Sequence, residues 1–176
     1  MSEEFILIRP SPEYASQIIE YRQEFIDFSS SMDGCGHLRS YEDPLEYIQI
    51  CRAIEDGSAA IPDTVPATQF MFIRTRDNKL VGMIDVRHYF NEYLEKYAGN
   101  IGYSVRPSER CKGYAKQMLK QTLPFCKSIG LDKVLVCCID GNIASEKTIL
   151  ANGGVYEYTV NEPARNRSLK RFWISI

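Results

Sequence analysis

The stretch from Ile101 to Leu119 constrains this chain more than any other. Ile101-Gly-Tyr-Ser-Val105 reads as a strand and Arg106-Pro107 stops it. Arg110-Cys111-Lys112-Gly113-Tyr114-Ala115 is a basic glycine turn, and apolar residues at helical spacing follow. A strand that turns through glycine into a helix leaves the first N–H groups of that helix without intrahelical acceptors. The helix dipole adds positive potential at the same point, so the turn suits a pyrophosphate. Gly113 lets the backbone approach the anion closely, and Ala115 keeps the approach open. Arg106, Arg110, Lys112, Lys116 and Lys120 gather around it. Without the glycine turn, such a run would read as a solvated helix face.

The rest of the chain supplies the frame. Phe5 to Arg9 reads as a strand stopped by Pro10 and Pro12. Ser11 as N-cap with Pro12 at the first helical position predicts a helix through Tyr14, Ile18, Tyr21 and Phe25 to about Phe28. Ser29 to Arg39 is a loop, and Asp43-Pro44 opens a second helix with Leu45, Ile48, Cys51, Ala53 and Ile54 on its apolar side, ended by Asp56-Gly57. Thr68 to Arg74 and Leu80 to Arg87 form a hairpin across Asp77-Asn78-Lys79. His88 to Gly99 is an aromatic, charged and partly helical connection to the motif strand, Asn100 to Val105. The motif helix spans about Lys112 to Ile129, with a kink or irregular turn expected at Pro124 and a stop at Gly130. Lys133 to Ile139 is the continuous apolar run of a strand buried on both faces. Asp140-Gly141-Asn142 turns into a helix from Ile143 to Ala151, and Val155 to Val160 with Leu169 to Ile176 closes an antiparallel pair. This order predicts one α/β domain over residues 1–176, with a mixed, mostly antiparallel sheet of about seven strands and about four helices.

Arg-x-x-Gly-x-Ala after a strand ending Val105-Arg106-Pro107, with Asn142 opening another helix about one βα unit later, resembles the acetyl-CoA pyrophosphate loop of the GNAT N-acetyltransferases. The element order is similar to that family along nearly the whole chain. The resemblance implies the GNAT acyltransferase fold and acetyl-CoA as cosubstrate. It places the pyrophosphate on Cys111, Lys112, Gly113, Tyr114, Ala115 and Lys116. In that family the motif strand diverges from its neighbour, so Tyr103, Ser104 and Val105 would pair with the pantetheine amides like an added strand, one N–H polarising the thioester carbonyl. The same residues also read as ordinary sheet. Asn142 would bond the pantetheine arm; asparagine there is equally a good N-cap, and both readings stand. Ser145 and Lys147 follow in the first turns. Lys147 and Arg110 each face a choice between phosphate and solvent.

The implied reaction is direct transfer of an acetyl group to a primary amine, which needs a general base and is helped by an acid. Ile149 stands where many of the family's enzymes carry an acidic tyrosine, and Gly99-Asn100 where a carboxylate is common. Neither usual group carries over. Asp85, His88, Glu92, Tyr103, Cys138 and Tyr156 are the substitutes. Each also has a structural reading, and positioning with thioester polarisation is a further route. Acceptor binding falls to Ser29 to Pro66 and residues 88–99. There Met32, Cys35, His37, Tyr41, Tyr89, Phe90, Tyr93 and Tyr97 lie near Asp33, Glu42, Asp43, Glu92 and Glu95. These suit a cationic amine, or they pack the flank. Two other readings stay open: a non-catalytic acyl-CoA-binding sensor or docking module, and a plain α/β interaction domain.

Composition narrows the partners. A net charge of −2 gives no bulk attraction to nucleic acid or anionic lipid. Met1-Ser-Glu-Glu is unlike a targeting signal, and no stretch is long enough to span a bilayer, so the expected location is the cytoplasm. The six cysteines match no zinc spacing and fit a reduced compartment; Cys35-Gly-His37 lacks further ligands, and no metal is expected. The expected partner is a small-molecule or peptide amine, with no nucleic acid and no membrane, and the sheet edges leave room for a homodimer.

Overall fold

The structure, a computed structural model, describes residues 4–176. The acidic start of the chain, residues 1–3, lies outside them. Seven strands form one sheet: β1 (Phe5–Ile8), β2 (Ala67–Arg74), β3 (Lys79–Arg87), β4 (Ile101–Val105), β5 (Lys133–Ile139), β6 (Val155–Glu162) and β7 (Arg167–Ser175). Their spatial order is β1-β2-β3-β4-β5-β7-β6. All neighbours are antiparallel except β4 and β5. The helices are α1 (Ala15–Asp27), α2 (Pro44–Glu55), α3 (Tyr114–Ser128) and α4 (Ile143–Leu150).

Both faces of the central strands are covered, which is why β2 and β3 are buried almost throughout. Met71, Ile73, Leu80 and Met83 pack with Ile18, Tyr21, Phe25, Tyr47 and Ile48 of α1 and α2. Phe70, Phe72, Val81, Ile84 and Val86 pack on the other face with Met118, Leu119 and Cys126 of α3. A register shift between Phe72 and Ile73 changes the phase of alternation, so Leu80 and Met83 share a face although they are three positions apart.

Local chemistry moves several ends from their expected places. Ser11 makes no cap; its hydroxyl donates to Glu13, a short 3-10 turn Pro12–Tyr14 intervenes, and α1 starts at Ala15. Asp43 does cap α2, accepting from Leu45 N–H at 2.8 Å. The buried stripe of α2 is Tyr47, Ile48, Cys51 and Ile54, while Leu45 is 47% exposed. α3 starts at Tyr114 rather than Lys112 because Gly113 sits at φ +80°. It continues through Pro124 to Ser128 without the irregular turn expected there. Lys120 and Pro124 are both exposed, so the carbonyl that loses its donor is on the solvent side. The Leu131 N–H to Cys126 O and Gly130 N–H to Lys127 O bonds then close the helix end. The 88–99 connection holds a π-helical turn, Leu94–Ala98. All six cysteines are free. Among the described residues no helix is long and apolar enough to cross a membrane.

Candidate functional site

β4 and β5 part company almost as soon as they meet. Their one paired position is Ile101↔Val136. Asn100 seals the point of divergence: its N–H donates to Leu135 O at 2.8 Å, its Oδ1 accepts from Leu135 N–H at 2.9 Å, and its Nδ2 donates to Arg87 O at 3.2 Å. On the other edge of β4, Arg106 N–H donates to Val81 O and Arg87 N–H to Asn100 O. Antiparallel pairing alternates bonded and non-bonded positions, so the even-numbered residues of β4 serve β3. The main-chain groups of Tyr103 and Val105 therefore turn toward β5, which is no longer there to receive them. β4 is therefore not an ordinary, fully paired strand.

The gap widens into a cleft of about 890 Å³ that runs from the π-helical turn to the start of α3. Tyr103, Ser104, Val105, Arg110, Cys111, Gly113, Tyr114, Ala115, Lys116, Asn142, Ser145 and Lys147 all line it. Of the residues that the sequence singles out for a cofactor, Lys112 alone does not: its Nζ is turned away, 2.7 Å from Glu109 Oε2. At the α3 end, Cys111 at φ +63° and Gly113 at φ +80° shape the turn. Gln117 N–H makes the first bond back, to Gly113 O at 3.3 Å. Among the described residues no protein acceptor serves the N–H groups of Cys111, Lys112, Gly113, Ala115 or Lys116.

Arg110 is exposed and lines the cleft. Its guanidinium lies over the Phe25 ring, with Nε 3.1 Å from Val105 O and Nη2 2.8 Å from Ser30 Oγ. It thereby occupies the Val105 carbonyl, leaving Tyr103 as the β4 residue with both main-chain groups open to the cleft. On the opposite wall Asn142 caps α4, its Oδ1 accepting from Ser145 N–H at 3.2 Å. The Ser145 hydroxyl is 2.8 Å from Tyr103 OH. Burial pushes the Tyr103 phenol well up, against the Ser145 hydrogen bond. Cys138 also lines the cleft, and burial pushes its thiol up to about 11.

The other proton-transfer candidates fall elsewhere. His88 sits outside the cleft with Nε2 2.9 Å from Thr68 Oγ1, and burial lowers its pKa. Tyr156 is exposed on the edge strand β6, its ring against Phe172 and its hydroxyl 2.9 Å from Thr159 Oγ1. Glu92 is exposed and Ile149 is fully buried in the core. Asp85 is buried directly beneath Gly102, outside the cleft wall.

Of the expected acceptor residues, Met32, Asp33, Tyr93 and Tyr97 reach the cleft. Asp43 is spent on its helix cap, and Cys35 is buried with Sγ 3.2 Å from Ser104 Oγ. Arg87, Arg165 and Arg167 join the lining, which the sequence reading missed. Arg167 and Arg165 share the buried Glu162 at 2.5 and 3.4 Å, and Arg165 lies over the Tyr93 ring. Gly102 was the signal available beforehand. A glycine inside a strand marks a close approach of backbone, and here the main chain of Gly34 lies against it.

The family model described as "Acetyltransferase (GNAT) family" matches residues 34–153. No curated protein sequence matches the chain at a significant level. Solved structures share the fold. One, of a putative ribosomal-protein-serine acetyltransferase from Vibrio cholerae, has a TM-score of 0.68 at 16% identity, covering 100% of this chain and 96% of that one. The microcin C7 self-immunity acetyltransferase MccE, solved with acetyl-CoA and AMP, gives 0.72 at 17%, covering 99% and 94%. A spermidine N-acetyltransferase SpeG chimera from Vibrio cholerae and hSSAT gives 0.63 at 16%, covering 97% and 95%. With the family model spanning the splayed strand, the glycine turn and α4, this chain belongs to the GNAT family of acetyltransferases.

Proposed function

We infer that the protein moves an acetyl group from acetyl-CoA to a primary amine by direct transfer. The observation that carries this reading is the unpaired β4 edge opening into the same cleft as the unpaired amides that begin α3. The pyrophosphate lies on the N–H groups of residues 111–113, 115 and 116, where the helix dipole assists. The pantetheine arm runs beside Tyr103 as an added strand, with the Asn142 side-chain amide reaching it from α4. One β4 N–H polarises the thioester carbonyl. Lys116, Ser145 and Lys147 flank the path of the 3′-phosphate. Tyr103 OH, tied to Ser145, is placed to protonate the departing thiolate.

The acceptor enters at the opposite end, between Met32, Asp33, Tyr93 and Tyr97. An ammonium group finds its counter-charge at Asp33. The names of the structural neighbours, covering a ribosomal-protein serine and spermidine, keep peptide N-termini and polyamines both in view. The test has two parts. Acetyl-CoA should raise the melting temperature, since a ligand bound to the native state alone stabilises it. CoA thiol should then appear when an amine panel is added. Stabilisation without CoA release would favour a binding module over an enzyme.

A further inference from the structure

Two buried oxygens beneath the acceptor end of the cleft have no hydrogen-bond partner among the described residues: Asp85 Oδ1 and Gln69 Oε1. Each residue is 5% exposed. They occupy paired positions on β3 and β2, and both line a cavity of about 30 Å³ together with Gly36 and Cys51. A space of that size holds one water, which needs at least two polar partners. Two acceptor oxygens facing one cavity match the two O–H donors of a water molecule. The orientation of Gln69 is set from its other end, since Nε2 donates to Gly34 O at 2.8 Å, Ile84 O at 3.1 Å and Phe70 O at 3.2 Å. Oε1 is then the atom left for the cavity.

This cavity adjoins the acceptor end. Gly36 lines both spaces. A methyl group on Gly102, which forms part of the cleft floor, would stand 2.8 Å from Asp85 Oδ1 and 3.2 Å from both Gly34 N and Arg87 Nη2. Gly102, with the Gly34 main chain beside it, lies between the carboxylate and the cleft, and no side chain is added there. Asp85 Oδ2 is engaged by Arg87 Nε at 3.1 Å, so Oδ1 is the oxygen free to accept.

We propose that Asp85 receives the proton of the acceptor ammonium through a water held between its Oδ1 and Gln69 Oε1. The inference rests on the N-acetyltransferase reading above. The ammonium passes one proton to the water, which passes one to Asp85 Oδ1. The freed nitrogen lone pair forms the N–C bond to the acetyl carbon, and the C–S bond breaks with its electron pair leaving on sulfur. Tyr103 OH gives its proton to that sulfur and takes up the second N–H proton, CoA departs as the thiol, and Asp85 returns its proton to solvent.

The groups facing Asp85 allow this. Arg87 on its own strand and Asp33 from the loop ahead of α2 are the charged ones. Cys35, Tyr47 and Cys51 face it with their acidities suppressed by burial, and His37 stands at the cavity wall. Burial raises the Asp85 carboxyl, and Arg87 opposes that rise. The net direction is toward the range in which a base works near neutral pH.

Asp85→Asn tests the relay, with spermidine and an alanine-initiated tetrapeptide as probe amines. The expected result is a kcat lower by about 100-fold or more, an unchanged KM for acetyl-CoA, and loss of the acid-side inflection in the pH profile of kcat. An equal kcat with an unchanged profile overturns the role of Asp85 while leaving the transferase reading intact. A native protein that acetyl-CoA does not stabilise, or that releases no CoA with either amine, overturns that reading and the relay with it. A high-resolution crystal of the native chain decides the case in which Asp85→Asn does not fold. Density for a water within hydrogen-bonding distance of both oxygens is expected, and a dry cavity overturns the relay.

Discussion

Arg74 Nη1 donates to Glu109 Oε2 at 2.8 Å, and this buried pair joins β2 to the turn that leads into α3. Lys79 and Lys112 add their ammonium groups to Glu109 at 2.7 Å each, while Arg74 also holds Asp77 at 2.6 Å. Without Glu109, Arg74 keeps Asp77 and the Tyr114 hydroxyl, so its charge is only partly stranded. Glu109→Ala is therefore expected to destabilise the fold by about 1–3 kcal/mol, measured by urea denaturation at neutral pH.

The same carboxylate sets an acid sensitivity. Burial alone would raise its pKa, but hydrogen bonds from Lys112, Lys79 and Arg74 outweigh burial and hold it well below the usual carboxylate range. A depressed folded pKa means that the stabilisation is complete above the unfolded value, 4.5, and is lost as pH falls from there toward the folded value. Denaturation midpoints of the wild type should drop through that window. Glu109→Gln, less stable at neutral pH, should lose this part of the pH slope and converge on the wild type in acid.

Gly113 separates folding from cofactor binding. A side chain there meets no atom within 4 Å, yet φ is +80°. Gly113→Ala should lower stability by about 1–2 kcal/mol, the strain of a left-handed residue with a Cβ. Gly113→Glu should fold with a similar deficit and lose the melting-temperature rise on adding acetyl-CoA, because its carboxylate would face the diphosphate.

Asn142 carries two assignments that one variant resolves. Losing the cap to Ser145 N–H in Asn142→Ala should cost about 1 kcal/mol in the free protein. Loss of a pantetheine hydrogen bond should in addition weaken acetyl-CoA by roughly 5- to 10-fold, the equivalent of one net hydrogen bond. Calorimetric titration against urea melts separates the two; an unchanged affinity leaves Asn142 as a cap alone.

Asn100→Ala should act through the sheet. It strands the buried Leu135 N–H that Oδ1 now accepts, at about 1–3 kcal/mol. Amide hydrogen exchange should speed up at Leu135 before it does elsewhere in β5.

The parts legible in the sequence were those whose signals are local. Pro107, Gly113 and the apolar spacing of Met118, Leu119, Thr122 and Cys126 fix the strand-turn-helix unit within one short segment. Arg110 and Glu109 were harder because charge alone does not say which way a side chain turns. Glu109 is buried by Arg74 and Lys79, which arrive from a hairpin far back in the chain. Arg165 and Arg167 reach the cleft through the β6–β7 turn, and their meeting with Tyr93 depends on how strands distant in sequence stack. His88 lies just past the end of β3 and Tyr156 on the edge strand β6, and neither position faces the cleft. Asp85 lay on an alternating strand whose phase the register shift alters, so its face could not be counted off.

Gly34 and Gly102 meet main chain against main chain, with no side chain to cushion them. The loop at this end of the cleft and the splayed strand β4 are thus held in direct contact. A descendant of this chain could enlarge or recharge this end of the cleft by exchanging rim residues such as Tyr93 or Arg165. It could not do so by thickening either glycine without prising the loop off β4.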